Sequence, residues 1–409
     1  MLDHVEDMRL NYDPEFPQQR FRAAGMEAAI KSSTGRLPST VPWPDASKPT
    51  AAPLNTAPAA TDDLSKFAGY DAIVVTWTSA EAAALAAMFV PDYLPSRWYE
   101  YRHGIANYIP LVTGSDAPFN DKSAEMARYY QSLGLYFPCT IGKAKVLLFK
   151  SGLHLDYDGP HTPVRKLMAE LAAAVKPKLF ITTGTGGALG KDVALGDVIV
   201  AAKVRFDCTT QFKSETFAKA VYQTAALPAG AIAAITPDLT RINAARVVGG
   251  NKTPKIWSGG QNTIVTTDFF GFDDSTDHFK LQALGQACDM GDAMVANALQ
   301  QSSDIRFYAI RNASDPQIPN PSGNMDAAKK TAGDIYSKYG VFTTAASAIA
   351  TWAVIDAAIN GNNGQAKKPA AKAKPAKAKP AKAKPAKTKP AKTKLAKAKP
   401  AKTKPAKHK

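Results

Sequence analysis

Asp71–Trp77 is an apolar, β-branched run, which predicts a buried strand. Ser79 is placed to cap the helix that follows over Glu81–Phe89. Lys145–Ser151 reads as a second strand and Val164–Val175 as an amphipathic helix. Leu179–Thr183 is a strand running into Gly and Thr. Asp197–Val204 alternates like a strand after a Gly196–Asp197 turn, and Thr263–Thr267 is a short strand. Cys288–Gln300 has helical spacing, Ile305–Arg311 is a strand, and Ala327–Tyr339 and Thr343–Ile359 are helices. This alternation predicts an α/β fold: a three-layer sandwich whose central sheet is mixed but mostly parallel, with helices on both faces.

The flanks break the pattern. Residues 1–37 are polar, with a short helix expected around Phe21–Lys31, and Pro38–Ala60 has the Pro, Ala, Ser and Thr content of a linker. Order is expected from Leu64. From Lys367 the chain repeats KPAKA or KPAKT every five residues, without apolar periodicity, which predicts a disordered tail. Three segments follow: 1–63, an N-terminal segment and linker; 64–360, the α/β domain; and 361–409, the tail.

Charge follows the same division. The chain carries +16 in all, yet residues 367–409 hold 18 lysines and no acidic residue. The remainder is slightly acidic, so the basic character says nothing about a substrate. The tail resembles linker-histone tails in composition. It suits DNA, RNA or another polyanion, without base-specific stacking because it has no aromatic residue. Cys139, Cys208 and Cys288 show no metal-ligand spacing and fit a reducing compartment. The opening MLDHVEDMRL lacks an apolar run, so no secretory signal is expected. No stretch approaching membrane-helix length is expected either, and a cytoplasmic location is the default.

Ligands of open α/β sheets bind beyond the carboxyl ends of the strands. Thr78-Ser79-Ala80-Glu81 follows the first strand, and Gly184-Thr185-Gly186-Gly187 follows Leu179–Thr183. Asp268-Phe269-Phe270 and Asn312-Ala313-Ser314-Asp315 follow two others. Each alone has a bland reading: a structural turn, a residue favouring the helix dipole, a core phenylalanine. Their coincidence at one sheet edge predicts a pocket with two carboxylates, a backbone-rich floor and an aromatic wall.

These blocks, in this order over roughly residues 70–358, resemble the nucleoside phosphorylase and nucleosidase superfamily, most closely its hydrolytic purine nucleosidase-type members. The run from Thr183 to Arg205 is the most specific, with its glycine-rich turn, Leu-Gly-Asp turn and strand. The resemblance implies cleavage of the N-glycosidic bond of a purine nucleoside or related nucleoside, more by water than by phosphate. It implies Asp315 as the acid that protonates N7 of the departing purine and Glu81 as the group that orients the attacking water. Phe270 would stack on the base. Thr185 and the backbone of Gly184 and Gly186 would hold sugar or nucleophile, and Met290 and Ser314 complete the substrate contacts. Where the family has Met-Glu to hold the ribose hydroxyls, this chain has Met290-Gly291, so Asp292 or Asp289 substitutes, or the sugar differs, or activity is lost.

His154, in the loop Leu153–Pro163, loosely resembles a phosphate-assisting His of trimeric purine nucleoside phosphorylases. With Asp156, Asp158 and His161 it also admits a metal-site reading, less favoured than a polar surface loop. No cofactor or metal is expected, and the family implies a homo-oligomer. Two other readings are a nucleoside-binding protein without turnover and a nucleic-acid-associated protein acting through its tail.

Overall fold

The computed structural model describes residues 41–113, 132–153, 155, 162–236, 239 and 254–361. The chain divides after Gln365 into two units. The second, 366–409, lies outside the described residues. So do the helix expected at Phe21–Lys31, the loop residue His154 and its neighbours Asp156–His161.

In chain order the elements are β1 (Pro49–Ala51), β2 (Ala72–Thr76), α1 (Ser79–Phe89), β3 (Tyr99–Tyr101), α2 (Ile109–Thr113), β4 (Gly134–Ile141), β5 (Ala144–Ser151) and α3 (Pro163–Val175). Then come β6 (Leu179–Ala188), β7 (Val198–Val200), β8 (Lys203–Phe206), β9 (Val221–Gln223), β10 (Ile256–Trp257), β11 (Thr263–Thr266), β12 (Ala287–Asp289), α4 (Asp292–Ala298), β13 (Arg306–Asp315) and α5 (Met325–Ile355). Among the described residues the thirteen strands form one mixed sheet whose centre, β5-β2-β6-β13, is parallel.

Alternation along β2 shows why this is a three-layer fold. Ile73 and Val75 face the side covered by Leu167, Met168 and Leu171 of α3 and Val295 of α4. Ala72 and Val74 face the side covered by Leu85 and Phe89 of α1 and Ile349 and Trp352 of α5. A strand with both faces covered is near-continuously apolar, as this one is from Ala72 to Val75. Burying each large side chain contributes roughly 1.5–3 kcal/mol, so neither helical layer is dispensable.

Several elements differ from expectation. Thr78, not Ser79, is the N-cap: its hydroxyl accepts from the Glu81 N–H, and the Glu81 carboxylate accepts from the Thr78 N–H, a reciprocal capping box. Gly184–Gly187 is not a turn but the second half of β6, because pairing with β13 continues through it. Cys288 belongs to strand β12, and the helix starts only at Asp292. The two C-terminal helices are one, running through Gly340. Its Lys338–Asn360 stretch is long and apolar enough to cross a membrane, contrary to expectation, with mean hydropathy 1.4. Because 83% of it is buried, it is accounted for as a core helix.

Part of the expected linker is also structured. β1 pairs antiparallel with β4. Trp43 packs against Trp352 with ring centroids 5.0 Å apart, and Trp352 Nε1 donates to the Ser47 carbonyl at 2.7 Å. An indole with both its ring and its N–H satisfied holds a Pro-rich strand that composition alone assigns to a spacer.

The sheet forks at β6. Its first half pairs with β2 only as far as Val75 opposite Thr182. Its last two residues, Gly187 and Ala188, pair antiparallel with β12. Between them, no strand among the described residues lies beside that edge, while β13 holds the other edge throughout.

Candidate active site

The fork is where the polar chemistry collects. A cleft there is lined by Trp77, Glu81, Thr185 and Phe270, by Asp289 to Gly291, and by Arg311, Ser314 and Asp315. Of the expected site residues, Glu81, Thr185, Gly186, Phe270, Met290, Ser314 and Asp315 are brought together in it.

Glu81 fills the gap in the sheet. Oε1 accepts from the backbone N–H of Thr185 at 2.6 Å and from its hydroxyl at 2.7 Å. Oε2 accepts from the Thr76 hydroxyl and from the N–H groups of Trp77 and Thr78, at 2.8–2.9 Å. The carboxylate thus replaces a missing strand for Thr185 while capping α1. Burial alone would raise its pKa. The Arg311 guanidinium and three backbone N–H donors outweigh that and hold it below the usual carboxylate value. Gly184 is what allows the approach. At φ +151° it is in a region that favours glycine, and a Cβ there would lie 2.3 Å from Glu81 Oε1. Gly184, expected to hold substrate, instead lies behind the cleft and seats Glu81.

Asp315 is in the opposite state. Its Oδ1 accepts from the Ser314 hydroxyl at 2.8 Å, while Oδ2 is buried without a hydrogen-bond partner among the described residues. Burial pushes its pKa up to about 6, with a further push from Asp273 and opposition from Ser314. Glu81 and Asp315 thus stand in opposite states on the cleft wall, the first kept ionised and the second disposed to carry a proton.

Asp292 does not reach the cleft. It is fully buried at the start of α4, and both its oxygens grip Arg311, Oδ2 at 2.9 Å from Nε and Oδ1 on Nη2. Asp289 lines the cleft but is equally engaged. Oδ1 accepts from Thr266 at 2.6 Å, and Oδ2 accepts from the N–H groups of Gly291 and Asp292 and lies 3.1 Å from Arg311. Burial and the neighbouring Asp292 charge raise the Asp289 pKa, against the pull of Arg311. Neither aspartate is a free acceptor standing in for a carboxylate at 291.

Position 291 itself is closed. A Cβ on Gly291 would lie 2.8 Å from the six-membered ring of Trp77. Gly291→Ala is therefore expected to cost about 1–3 kcal/mol by overpacking. The double variant with Trp77→Phe should lose less than the sum, because phenylalanine does not reach the colliding atoms. Urea unfolding of the four proteins checks this; strict additivity would refute the collision.

Arg311, Trp77 and Tyr336 were not foreseen. Arg311 lies in an apolar strand, 3.6 Å from Glu81 and with its guanidinium 4.8 Å from the Trp77 ring centroid. The available signal was a lone arginine in a buried strand, downstream of Asp289 and Asp292. Tyr336 comes from α5 and donates to the Thr78 hydroxyl at 2.9 Å, and its spacing gave no signal. Among the described residues no group of three or more His, Cys, Asp or Glu is arranged to hold a metal ion.

Residues 109–339 match the model of a family described as the phosphorylase superfamily. No curated protein matches the chain. Solved structures similar to it include the 5′-methylthioadenosine/S-adenosylhomocysteine nucleosidase of Neisseria meningitidis in complex with methylthio-immucillin-A. That protein is 15% identical, with 70% of this chain and 98% of that chain covered and a TM-score of 0.43. A mutant of the Helicobacter pylori MTAN with 5′-methylthioadenosine in the active site is 13% identical, covering 70% and 99%, with a TM-score of 0.45. The futalosine hydrolase of Helicobacter pylori is 14% identical, covering 70% and 98%, with a TM-score of 0.42.

Proposed function

The chain belongs to the phosphorylase superfamily, and we propose that it cleaves the N-glycosidic bond of a purine nucleoside or related nucleoside with water as nucleophile. The observation that carries this reading is the pair of carboxyl groups in one cleft, Glu81 held ionised and Asp315 disposed to carry a proton. Glycosidic cleavage passes through an oxocarbenium-like state. The departing base leaves poorly as an anion, and a positioned acid removes that difficulty. The Oδ2 atom of Asp315, buried and without a partner, is the candidate donor. Phe270, half-buried on the cleft wall, offers a face to the base.

Glu81 accepts five hydrogen bonds, so taking a proton from water requires one to be released. Four of the donors are backbone N–H groups or the buried Thr76 hydroxyl. The Thr185 hydroxyl, on a rotatable bond at the cleft wall, is the one able to swing away and admit water to Oε1.

Water is favoured over phosphate by the state of Arg311. Phosphate needs cationic donors, and among the described residues of the cleft Arg311 is the one cation, already engaged by Asp292, Asp289 and Glu81. A second reading, binding without turnover, is favoured by the saturation of Glu81. Product analysis separates them. Free base and free sugar are expected from a nucleoside panel at the same rate with and without phosphate. Strict dependence on phosphate would overturn the hydrolytic reading. Thermal stabilisation by a nucleoside that is never cleaved would establish the binding-only one.

A further inference from the structure

Trp77 is 5% exposed and lines the cleft, and its Nε1 is buried with no hydrogen-bond partner among the described residues. A buried indole N–H without a partner is costly and calls for an explanation, a bound group among them. The ring is fixed rather than free to turn outward. The Arg311 guanidinium lies against it, the backbone of Gly291 abuts it, and the Trp77 backbone N–H is tied to Glu81. An unpaired, donor-only group thus belongs to a wall residue next to the Glu81 carboxylate, where no side chain projects from position 291 and the carboxylates of Asp289 and Asp292 are already engaged.

We propose that Trp77 is a specificity-determining residue whose indole N–H donates to a hydroxyl oxygen of the substrate's sugar. The inference rests on the nucleoside-cleaving reading above and names the sugar contact within it. The side of the cleft follows from the chemistry. Asp315 must face the departing base and Glu81 the sugar carbon that water attacks, and Trp77 adjoins Glu81. An indole donates and cannot accept, so the hydroxyl oxygen is an acceptor here and its proton must go to solvent or another group. A site built around an unpaired donor discriminates against an analogue lacking the matching oxygen, because the donor is then left buried and unsatisfied.

The test uses the full chain and its Trp77→Phe variant, which keeps an aromatic ring and removes the donor. Adenosine and its 2′-deoxy, 3′-deoxy and 5′-deoxy analogues are compared by kcat/KM. The wild type is expected to disfavour one deoxy analogue by about tenfold or more. Trp77→Phe should lose a similar factor on adenosine and treat that analogue and adenosine alike. Unchanged discrimination in the variant overturns the proposal. In parallel, the Trp77 indole N–H resonance of the wild-type protein, assigned through its connectivity to the Trp77 backbone, is followed during nucleoside titration. A shift on binding supports the assignment even if no base is released, an outcome that refutes the hydrolase reading alone. No shift with any nucleoside that stabilises the protein overturns the assignment. The same resonance covers the case in which Trp77→Phe folds poorly.

Discussion

Asp315→Asn should lower turnover by about 10²–10⁴-fold, the usual contribution of a positioned acid. The substitution keeps shape, and the amide oxygen can still accept from Ser314, so the fold should stand. The pH profile separates an acid role from a structural one. Asp315 is raised to about 6, so its protonated form prevails below that and disappears above it. In the wild type kcat/KM should therefore be high below about pH 6 and fall about tenfold per unit above it. Glu81, held below the ordinary carboxylate value, should place the acid limb at lower pH still. The alkaline limb should vanish from the residual activity of Asp315→Asn. Wild-type turnover in this variant, or an unmoved alkaline limb, would exclude the acid role. Stability should move the other way. Asp315 binds its proton more tightly folded than unfolded, so it destabilises progressively as pH rises from about 4 to 6, and Asp315→Asn should melt above the wild type at about pH 8.

Arg311→Met is the second large effect. It would leave Glu81, Asp289 and Asp292 buried together without their cation, at an expected cost of about 3–5 kcal/mol. The sign of its pH dependence is fixed by linkage. Without Arg311 the folded pKa values of Glu81 and Asp289 rise, so the folded variant binds more protons than the folded wild type and loses stability relative to it as pH rises. The gap to the wild type should be wider at about pH 8 than at about pH 5, read by urea midpoints. A gap that narrows with rising pH would show that Arg311 does not compensate these charges.

The β/α alternation is legible in the sequence because strands covered on both faces must be continuously apolar, and β2, β5 and β11 are largely so. The carboxyl pair is legible too, since Glu81 and Asp315 sit at strand ends where open sheets place ligands. The fork is not legible. It depends on which strand lies beside β6 at each level, and a run such as Gly184–Gly187 reads as a turn unless β13 is known to continue alongside. Arg311 is hidden for a related reason: its charge is tolerated only because three carboxylates converge on it from β12, α4 and α1. Trp77 reads as the last apolar residue of a strand, and only the space left by Gly291 turns it into a wall of the cleft. Trp43 and β1 are masked by composition, because proline-rich sequence resembles a spacer until a partner edge is available. His154 lies outside the described residues.

Glu81 begins a helix, replaces a missing strand and faces the cleft with one carboxylate. Its three duties cannot drift apart. A lineage exploring new substrates could not retune this position without also loosening the first turn of α1 and the free edge of β6. Divergence is thereby channelled to the rest of the wall, where Trp77 and Phe270 can vary with no secondary structure resting on their side chains. The scaffold thus constrains its own evolution, keeping the reaction centre fixed while the surface that selects the ligand changes.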